Sequence, residues 1–370
     1  MLPICPMRTT MPLRTIELVN KEAVAELDQE LCRFTEDSYP RWNTLHSRRR
    51  MLILGGGRLA KELYQVVLSE RLDLMEIVGA LVVDNDRVER NHEIPGLIGT
   101  HEQLARVVEE QRVNTIVVCF EDRRSVLPVE QLLDLKAMGI DVLDGHQLFE
   151  EVSGRLSVDS LRPSTLIFSN GFKQSIASRF TKRLVDLLVS LVGLLVLSPL
   201  FLLMAFLIKA DSTGPVMYRQ FRVGLRGRPF LIWKLRSMKQ DAESSGAQWA
   251  QTDDPRITRV GKLLRKFRID EFPQLINVVR GEMSLVGPRP ERPMFVQELR
   301  KSIPYYDLRH TVRPGITGWA QIKFRYGASA EDAHMKFQYD LYYVKRLSFR
   351  LDMKILTHTV RVMLLGEGAQ

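Results

Sequence analysis

Residues 187–208 run for 22 positions without a charged side chain. At 1.5 Å per residue a helix of that length reaches about 33 Å, enough to cross a bilayer core, and no other feature restricts the fold as strongly. One spanning helix is the plain reading. Two observations favour another. Pro199, preceded by Ser198, sits in mid-run, where it removes an amide donor and crowds the preceding turn. Basic residues also flank both ends, Lys173, Arg179, Lys182 and Arg183 before and Lys209, Arg219 and Arg222 after, whereas a spanning helix keeps its positive charge on one side. A helical hairpin over residues 181–210, broken at Ser198 and Pro199 and entering and leaving by one face, accounts for both. The serine hydroxyl or water then meets the backbone groups that the proline frees. A buried helix of a soluble core is the third possibility.

Upstream of this run the pattern is that of an α/β domain. Residues 1–50 are polar, end in Arg48, Arg49 and Arg50, and contain no legible signal peptide; they stay unassigned. From residue 51 a short apolar strand, three glycines and a helical pattern with Leu59, Leu63, Val66 and Val67 on one face follow one another. Further strands at 77–83, 114–120 and 140–145 alternate with helices near 101–112 and 125–138. That rhythm over residues 51–150 predicts a parallel sheet covered by helices, a Rossmann-like domain. Gly55, Gly57 and Ala60 match a dinucleotide-binding fingerprint, with Asp84 at the distance of a ribose-binding acid. Close strand-to-helix packing demands the same small residues, so a bound nucleotide and a purely structural or regulatory domain both stay open. Residues 151–180 read as a connector.

Downstream lies the charge. Residues 209–300 hold 18 Lys and Arg against 10 Asp and Glu, so nearly the whole net charge of +9 falls in one quarter of the chain, directly after the apolar run. That balance suits an anionic partner: nucleic acid, phospholipid or a phosphorylated small molecule. A long uncharged run points to phospholipid or a phosphorylated small molecule and away from nucleic acid. The three cysteines, Cys5, Cys32 and Cys119, are scattered, which supports neither a disulfide scaffold nor a cysteine-ligated metal.

Two stretches in this region carry candidate chemistry. Residues 214–238 form a glycine-punctuated basic strand pair with Arg219, Arg222, Arg226, Arg228, Lys234 and Arg236, suited to an anionic ligand or to acidic headgroups beside an anchor. In residues 257–291, Asp270 and Glu271 follow Arg259, Lys262, Arg265, Lys266 and Arg268. Neighbouring cations lower a carboxylate pKa and keep it ionised as a nucleophile or metal ligand. Surface Asp-Glu pairs are also common. Arg289, between Pro288 and Pro290, is a preorganised guanidinium of the kind that grips phosphate, or a proline-stiffened surface loop.

Together the blocks KRLVD, Ser198-Pro199, GPVMYRQFRVGLRGRPFLIWKLRSM, IDEFPQLINVVRGEMSLVGPRPE, RPGITGWAQ and YDLYYV closely resemble the bacterial sugar transferases, monotopic phosphoglycosyl transferases, over residues 182–370. The α/β half and the SLRPSTLIFSNGF connector resemble the larger, exopolysaccharide-initiating members. The resemblance implies transfer of sugar-1-phosphate from a UDP-sugar to polyprenyl (undecaprenyl) phosphate with release of UMP. Asp270 would be the nucleophile, Glu271 would hold Mg²⁺ with it, and Lys234, Arg236, Arg289 and Asp340 would bind substrate phosphate. It further implies a re-entrant membrane helix, a mainly helical α/β catalytic domain over 211–370, a homodimer, and a place on the cytoplasmic face of the bacterial inner membrane. Larger members begin with several spanning helices, and none is legible here before Leu187; this touches the N-terminal architecture, not the catalytic blocks. The competing class is a membrane-tethered nucleotide-sensing or scaffold protein that uses Gly55, Gly57 and Asp84. A nicotinamide-dependent oxidoreductase is weaker, for want of a Tyr-x-x-x-Lys pair.

Overall fold

A computed structural model describes residues 49–365 apart from 70–74, 83–95, 121–126, 162, 170, 173–174, 241, 243–253 and 325–328. Asp84, Lys173, Cys5, Cys32 and the polar segment 1–48 lie outside the described residues.

The N-terminal half is a parallel sheet. Its strands are β1 (Arg49–Leu54), β2 (Met75–Val82), β3 (Leu97–Thr100), β4 (Thr115–Val118) and β5 (Asp141–Asp144), in the order β3-β2-β1-β4-β5. Strand β3 is the one the sequence did not signal. Unbroken apolar strands such as β1 arise because both sheet faces are buried. Met51 and Ile53 pack under helices α1 (Arg58–Ser69) and, further along the chain, α4 (Gly145–Ser153). Leu52 and Leu54 pack under α2 (Leu104–Glu110) and α3 (Val129–Ala137). In α1 the expected stripe Leu59, Leu63, Val66 and Val67 is buried. Gly55, at φ +132°, has a packing reason to be glycine, since a Cβ there would lie 2.8 Å from the Cys119 carbonyl oxygen.

The connector holds a short helix, α5 (Pro163–Phe168), and leads into α6 (Ile176–Asp211), 36 residues or about 54 Å long. The expected hairpin is not drawn as two arms, because the backbone stays helical through Pro199. The proline leaves the Leu195 carbonyl without its amide partner, and the Ser198 hydroxyl donates to that oxygen at 2.8 Å. One stripe of α6 is seated on the rest of the chain along its length. The Leu285 amide donates to Asp186 (3.1 Å), Ser190 is fully buried, and a Cβ on Gly193 would meet Leu275 at 3.1 Å. Beyond these, the Phe201 ring meets Phe272 edge-on, and Met204 and Ile208 pack with Leu235 and Leu264. The opposite face, with Leu188, Val192, Leu195, Leu202, Leu203 and Phe206, is exposed. The flanking-charge argument needs correcting in part. Lys182 pairs with Asp352 (2.7 Å), Arg183 donates to the Val278 and Val279 carbonyls (2.7 and 3.0 Å), and Arg222 pairs with Glu291 (3.6 Å), so three of the flanking cations tie elements together internally.

The C-terminal half builds on α6. An antiparallel hairpin, β6 (Met217–Val223) and β7 (Pro229–Leu235), precedes α7 (Arg259–Lys266), α8 (Gln274–Arg280), β8 (Ser284–Val286) and α9 (Pro293–Ser302). Strand β9 (Gly315–Thr317) pairs in parallel with β8, and α10 (Trp319–Lys323), α11 (Ala330–Arg346) and α12 (Phe349–Leu365) close the fold. A capping box starts α11: the Ser329 hydroxyl accepts from the Asp332 amide, and the Asp332 carboxylate accepts from the Ser329 amide. Helix α12 is packed through Asp352 and fully buried Ile355.

The two halves are joined by specific contacts. Glu150, buried at the end of α4, pairs with Lys345 (2.5 Å) and Arg346 (2.7 Å) of α11. The Trp319 indole donates to the Gly154 carbonyl at 2.7 Å, and Asp159 pairs with both Arg58 (2.6 Å) and His334 (3.0 Å).

Candidate active site

The residues that the sequence singled out as a pair sit on one turn of 3₁₀ helix, Ile269–Glu271, between α7 and α8. Arg268 enters it in the left-handed region at φ 53°. That conformation costs a non-glycine residue energy and turns the chain so that both following carboxylates point inward. Asp270 and Glu271 are each 7 % exposed.

Their surroundings differ sharply. Glu271 accepts from Lys234 on β7 (3.0 Å) and from both terminal nitrogens of Arg289 (2.6 and 3.4 Å), with Arg268 4.0 Å away. Burial works against its ionisation, but Arg289 and Lys234 outweigh it and hold the carboxyl well below the usual range. Burial in turn lowers the Lys234 ammonium, against the pull of Glu271. Among the described residues Asp270 has no hydrogen-bond or ion-pair partner. Burial, and then the charge of Glu271, raise its carboxyl to about 6, with Lys234, Arg265 and Arg289 pulling the other way. The sequence expectation that nearby cations lower both carboxyls therefore holds for Glu271 alone. At neutral pH Asp270 is an ionised, desolvated carboxylate with its lone pairs unengaged, which describes a nucleophile.

Lys234 and Arg289 converge on this pair; Arg236 and Asp340 do not. Arg236 is 6 % exposed and donates to the carbonyls of Ser212 (2.7 Å), Thr213 (2.7 Å) and Ile208 (3.4 Å) and to the Ser212 hydroxyl (2.9 Å). It closes the C-terminus of α6, where carbonyls lack intrahelical donors. Asp340, midway along α11, pairs with buried Arg309 at 2.8 Å, and Arg309 donates to the Arg289 carbonyl at 2.7 Å. Burial raises Asp340 to about 6 despite Arg309 beside it. Ser198 and Pro199 lie on α6, whose next residues Leu200 and Phe201 pack with Ile269 and Phe272 on either side of the carboxylates, and Gly55 and Gly57 follow β1 in the N-terminal sheet.

Sequence reasoning missed Arg309 and Tyr306, whose hydroxyl accepts from Arg309. One signal was available. An aspartate inside the apolar run YDLYYV must be buried, and a buried carboxylate needs a cation. Also missed was the purpose of KRLVD, whose Lys182, Arg183 and Asp186 fasten the start of α6 to α12, α8 and β8.

For Mg²⁺ the donor set fits. The ion is held by one or two carboxylates and completed by substrate oxygens and water rather than by an all-protein cage. Asp270, buried and without a partner among the described residues, offers one such carboxylate, while the Glu271 oxygens face Lys234 and Arg289 and would have to share them with the ion; no cluster of three metal-ligating side chains occurs among the described residues.

Known proteins are similar to this chain. The chain is 47% identical over 231 residues to a UDP-N-acetylgalactosamine-undecaprenyl-phosphate N-acetylgalactosaminephosphotransferase of Aeromonas hydrophila, covering 62% of the chain and 54% of that protein. It is 33% identical over 353 residues to an undecaprenyl-phosphate glucose phosphotransferase of Komagataeibacter xylinus, covering 94% of the chain and 65% of that protein. It is 42% identical over 185 residues to a UDP-glucose:undecaprenyl-phosphate glucose-1-phosphate transferase of Escherichia coli K12, covering 50% of the chain and 40% of that protein. The chain thus spans between two fifths and two thirds of the length of these relatives. The sequence profile of the family described as bacterial sugar transferase matches residues 177–366, which hold Asp270, Glu271, Lys234 and Arg289 on half of the chain's length, and the chain belongs to that family.

Proposed function

We propose that this chain transfers sugar-1-phosphate from a UDP-sugar to undecaprenyl phosphate and releases UMP. The observation that carries the reading is the division of labour between two adjacent carboxylates: Glu271 gripped by Lys234 and Arg289, Asp270 buried and without a partner among the described residues.

In the first step an Asp270 carboxylate oxygen attacks the β-phosphorus of the donor, and the bond from that phosphorus to the UMP oxygen breaks. UMP leaves with the electron pair, and a phosphosugar remains on Asp270. In the second step a phosphate oxygen of undecaprenyl phosphate attacks the same phosphorus, the aspartyl oxygen departs as carboxylate, and undecaprenyl diphosphate sugar is released. Lys234 and Arg289 bind and orient the donor's phosphates as they pull on Glu271, and the buried setting excludes water from the aspartyl phosphate. Asp270 and Glu271 would hold Mg²⁺, which when bound would supply neutralisation of the diphosphate charge.

The membrane reading follows from α6. Its two ends are tied to the same C-terminal unit while its outer face is apolar and exposed, which supports attachment to one leaflet through that face with both ends on the cytoplasmic side; the re-entrant bend proposed at Ser198 and Pro199 would add to a helix that is continuous here. That brings a lipid-borne phosphate and a soluble nucleotide sugar to one plane. The strand order supports a Rossmann-like N-terminal domain, and a homodimer is the proposed assembly. The relatives named for N-acetylgalactosamine and for glucose suggest the first donors to try.

The test is UMP release by protein in nanodiscs with Mg²⁺, undecaprenyl phosphate and a panel of UDP-sugars. One donor should yield UMP with wild type and none with Asp270→Asn. Equal activity of the two proteins would sink the proposed nucleophile.

A further inference from the structure

Resting on the reading of Arg289 as a phosphate-binding residue, we infer that Arg309 is a positioning residue for the transfer: it fixes the main chain beneath Arg289 so that the guanidinium is held at Glu271. Arg289 stands in the loop of residues 287–291, which crosses no regular element and would otherwise be free to swing a long side chain through many rotamers. The loop is held at every carbonyl from 288 to 291. The Pro288 oxygen accepts from the Gly315 amide (3.0 Å), the Arg289 oxygen from Arg309 (2.7 Å), the Pro290 oxygen from Arg222 (3.1 Å) and the Glu291 oxygen from the Val223 amide (2.9 Å). At its start the Gly287 amide donates to Thr317 (2.9 Å).

Among these anchors Arg309 acts on the working residue itself. A guanidinium only 7 % exposed needs compensation, and it is met on three sides. Asp340 of α11 supplies the opposite charge at 2.8 Å, the Tyr306 hydroxyl accepts from one terminal nitrogen, and the Arg289 carbonyl accepts from the other. The planar fork is essential, because one group must reach a carboxylate, a phenol and a carbonyl at once; an ammonium cannot keep that geometry. The chain of contacts therefore runs from Asp340 through Arg309 to the Arg289 main chain, and from the Arg289 side chain to Glu271. Asp340 acts on the site through Arg309, not by touching phosphate.

The experiment is a double-mutant cycle on the full chain in nanodiscs, read by the dissociation constant for inorganic pyrophosphate and by kcat and KM for UMP release. Arg309→Lys should weaken pyrophosphate about fivefold and lower kcat about tenfold with thermal unfolding nearly unchanged. In an Arg289→Ala background the same substitution should change both by less than about twofold, since its route to the site is already cut. If Arg309→Lys loses its unfolding transition, Tyr306→Phe carries the cycle in its place, removing only the hydroxyl under the guanidinium. Additive losses, unchanged pyrophosphate binding in the single variant, or no pyrophosphate binding by wild type would overturn the inference. Non-additive binding without UMP release from any donor would leave Arg309 in its role and sink the transferase reading; UMP release with additive losses would do the reverse.

Discussion

Arg289 reaches both oxygens of Glu271, at 2.6 and 3.4 Å, whereas the preceding Asp270, equally buried, has no ion-pair partner among the described residues. The pair therefore answers mutation asymmetrically. Glu271→Gln strips a buried partner from Lys234 and Arg289 and should cost about 3 kcal/mol of stability together with activity. Asp270→Asn removes a desolvated charge beside another of the same sign, so it should abolish UMP release while the unfolding temperature stays level or rises. Thermal unfolding of both variants in one detergent decides this; a large loss for Asp270→Asn would contradict it.

Arg179 and Lys209 stand near the two ends of α6 and are both exposed. With cysteine placed at either position in a background lacking the native cysteines, a membrane-impermeant maleimide should label both only after spheroplasts are lysed. Labelling of one from outside the intact cell would mean that α6 spans the membrane.

Glu150 neutralises both Lys345 and Arg346 across the junction of the two halves. Glu150→Gln leaves Lys345, 10 % exposed at its side chain, without its counter-ion and should destabilise the junction by about 3 kcal/mol. Limited proteolysis should then cut within the connector several times faster than in wild type. An unchanged cleavage rate would mean that the junction draws its stability from Trp319 and its apolar neighbours alone.

His310 makes one of the acid-sensitive contributions to the stability of the C-terminal half. Burial, reinforced by the Arg309 charge, lowers its pKa to about 4, against Asp307 at 3.1 Å. The folded state thus keeps a neutral imidazole where an unfolded one, near 6.5, binds a proton. Its contribution to stability is complete above that value and is lost as pH falls from about 6.5 toward 4, by at most about 3 kcal/mol. His310→Gln should flatten the fall of stability over this window relative to wild type. The raised carboxyls Asp270 and Asp340 titrate in both proteins and drop out of the difference. Parallel curves for the two proteins would refute the assignment.

Much of this protein is written locally. Period-two and period-3.6 apolar patterns are properties of short segments, so the parallel sheet, the α1 face, the β6-β7 hairpin and the apolar run of α6 were all legible in the sequence, as was the Asp270-Glu271 pair. The sequence could not say what its charges face. Lys182 and Arg183 read as cations flanking the apolar run and are internal ties; Arg236, a phosphate ligand by the resemblance, donates to the carbonyls at the end of a helix; Arg309 attracted no notice and lies under the working arginine. Nor could it divide Asp270 from Glu271, which have the same neighbours along the chain and different ones in space. Apolar periodicity is fixed by residues a few positions apart, whereas the state of a buried charge is set by whichever cation, carbonyl or void the fold brings within about 4 Å. In this protein the hydrogen-bonding cations come from residues 18 to 37 positions away at Glu271, and the ion-pair partner of Asp340 from 31 positions away.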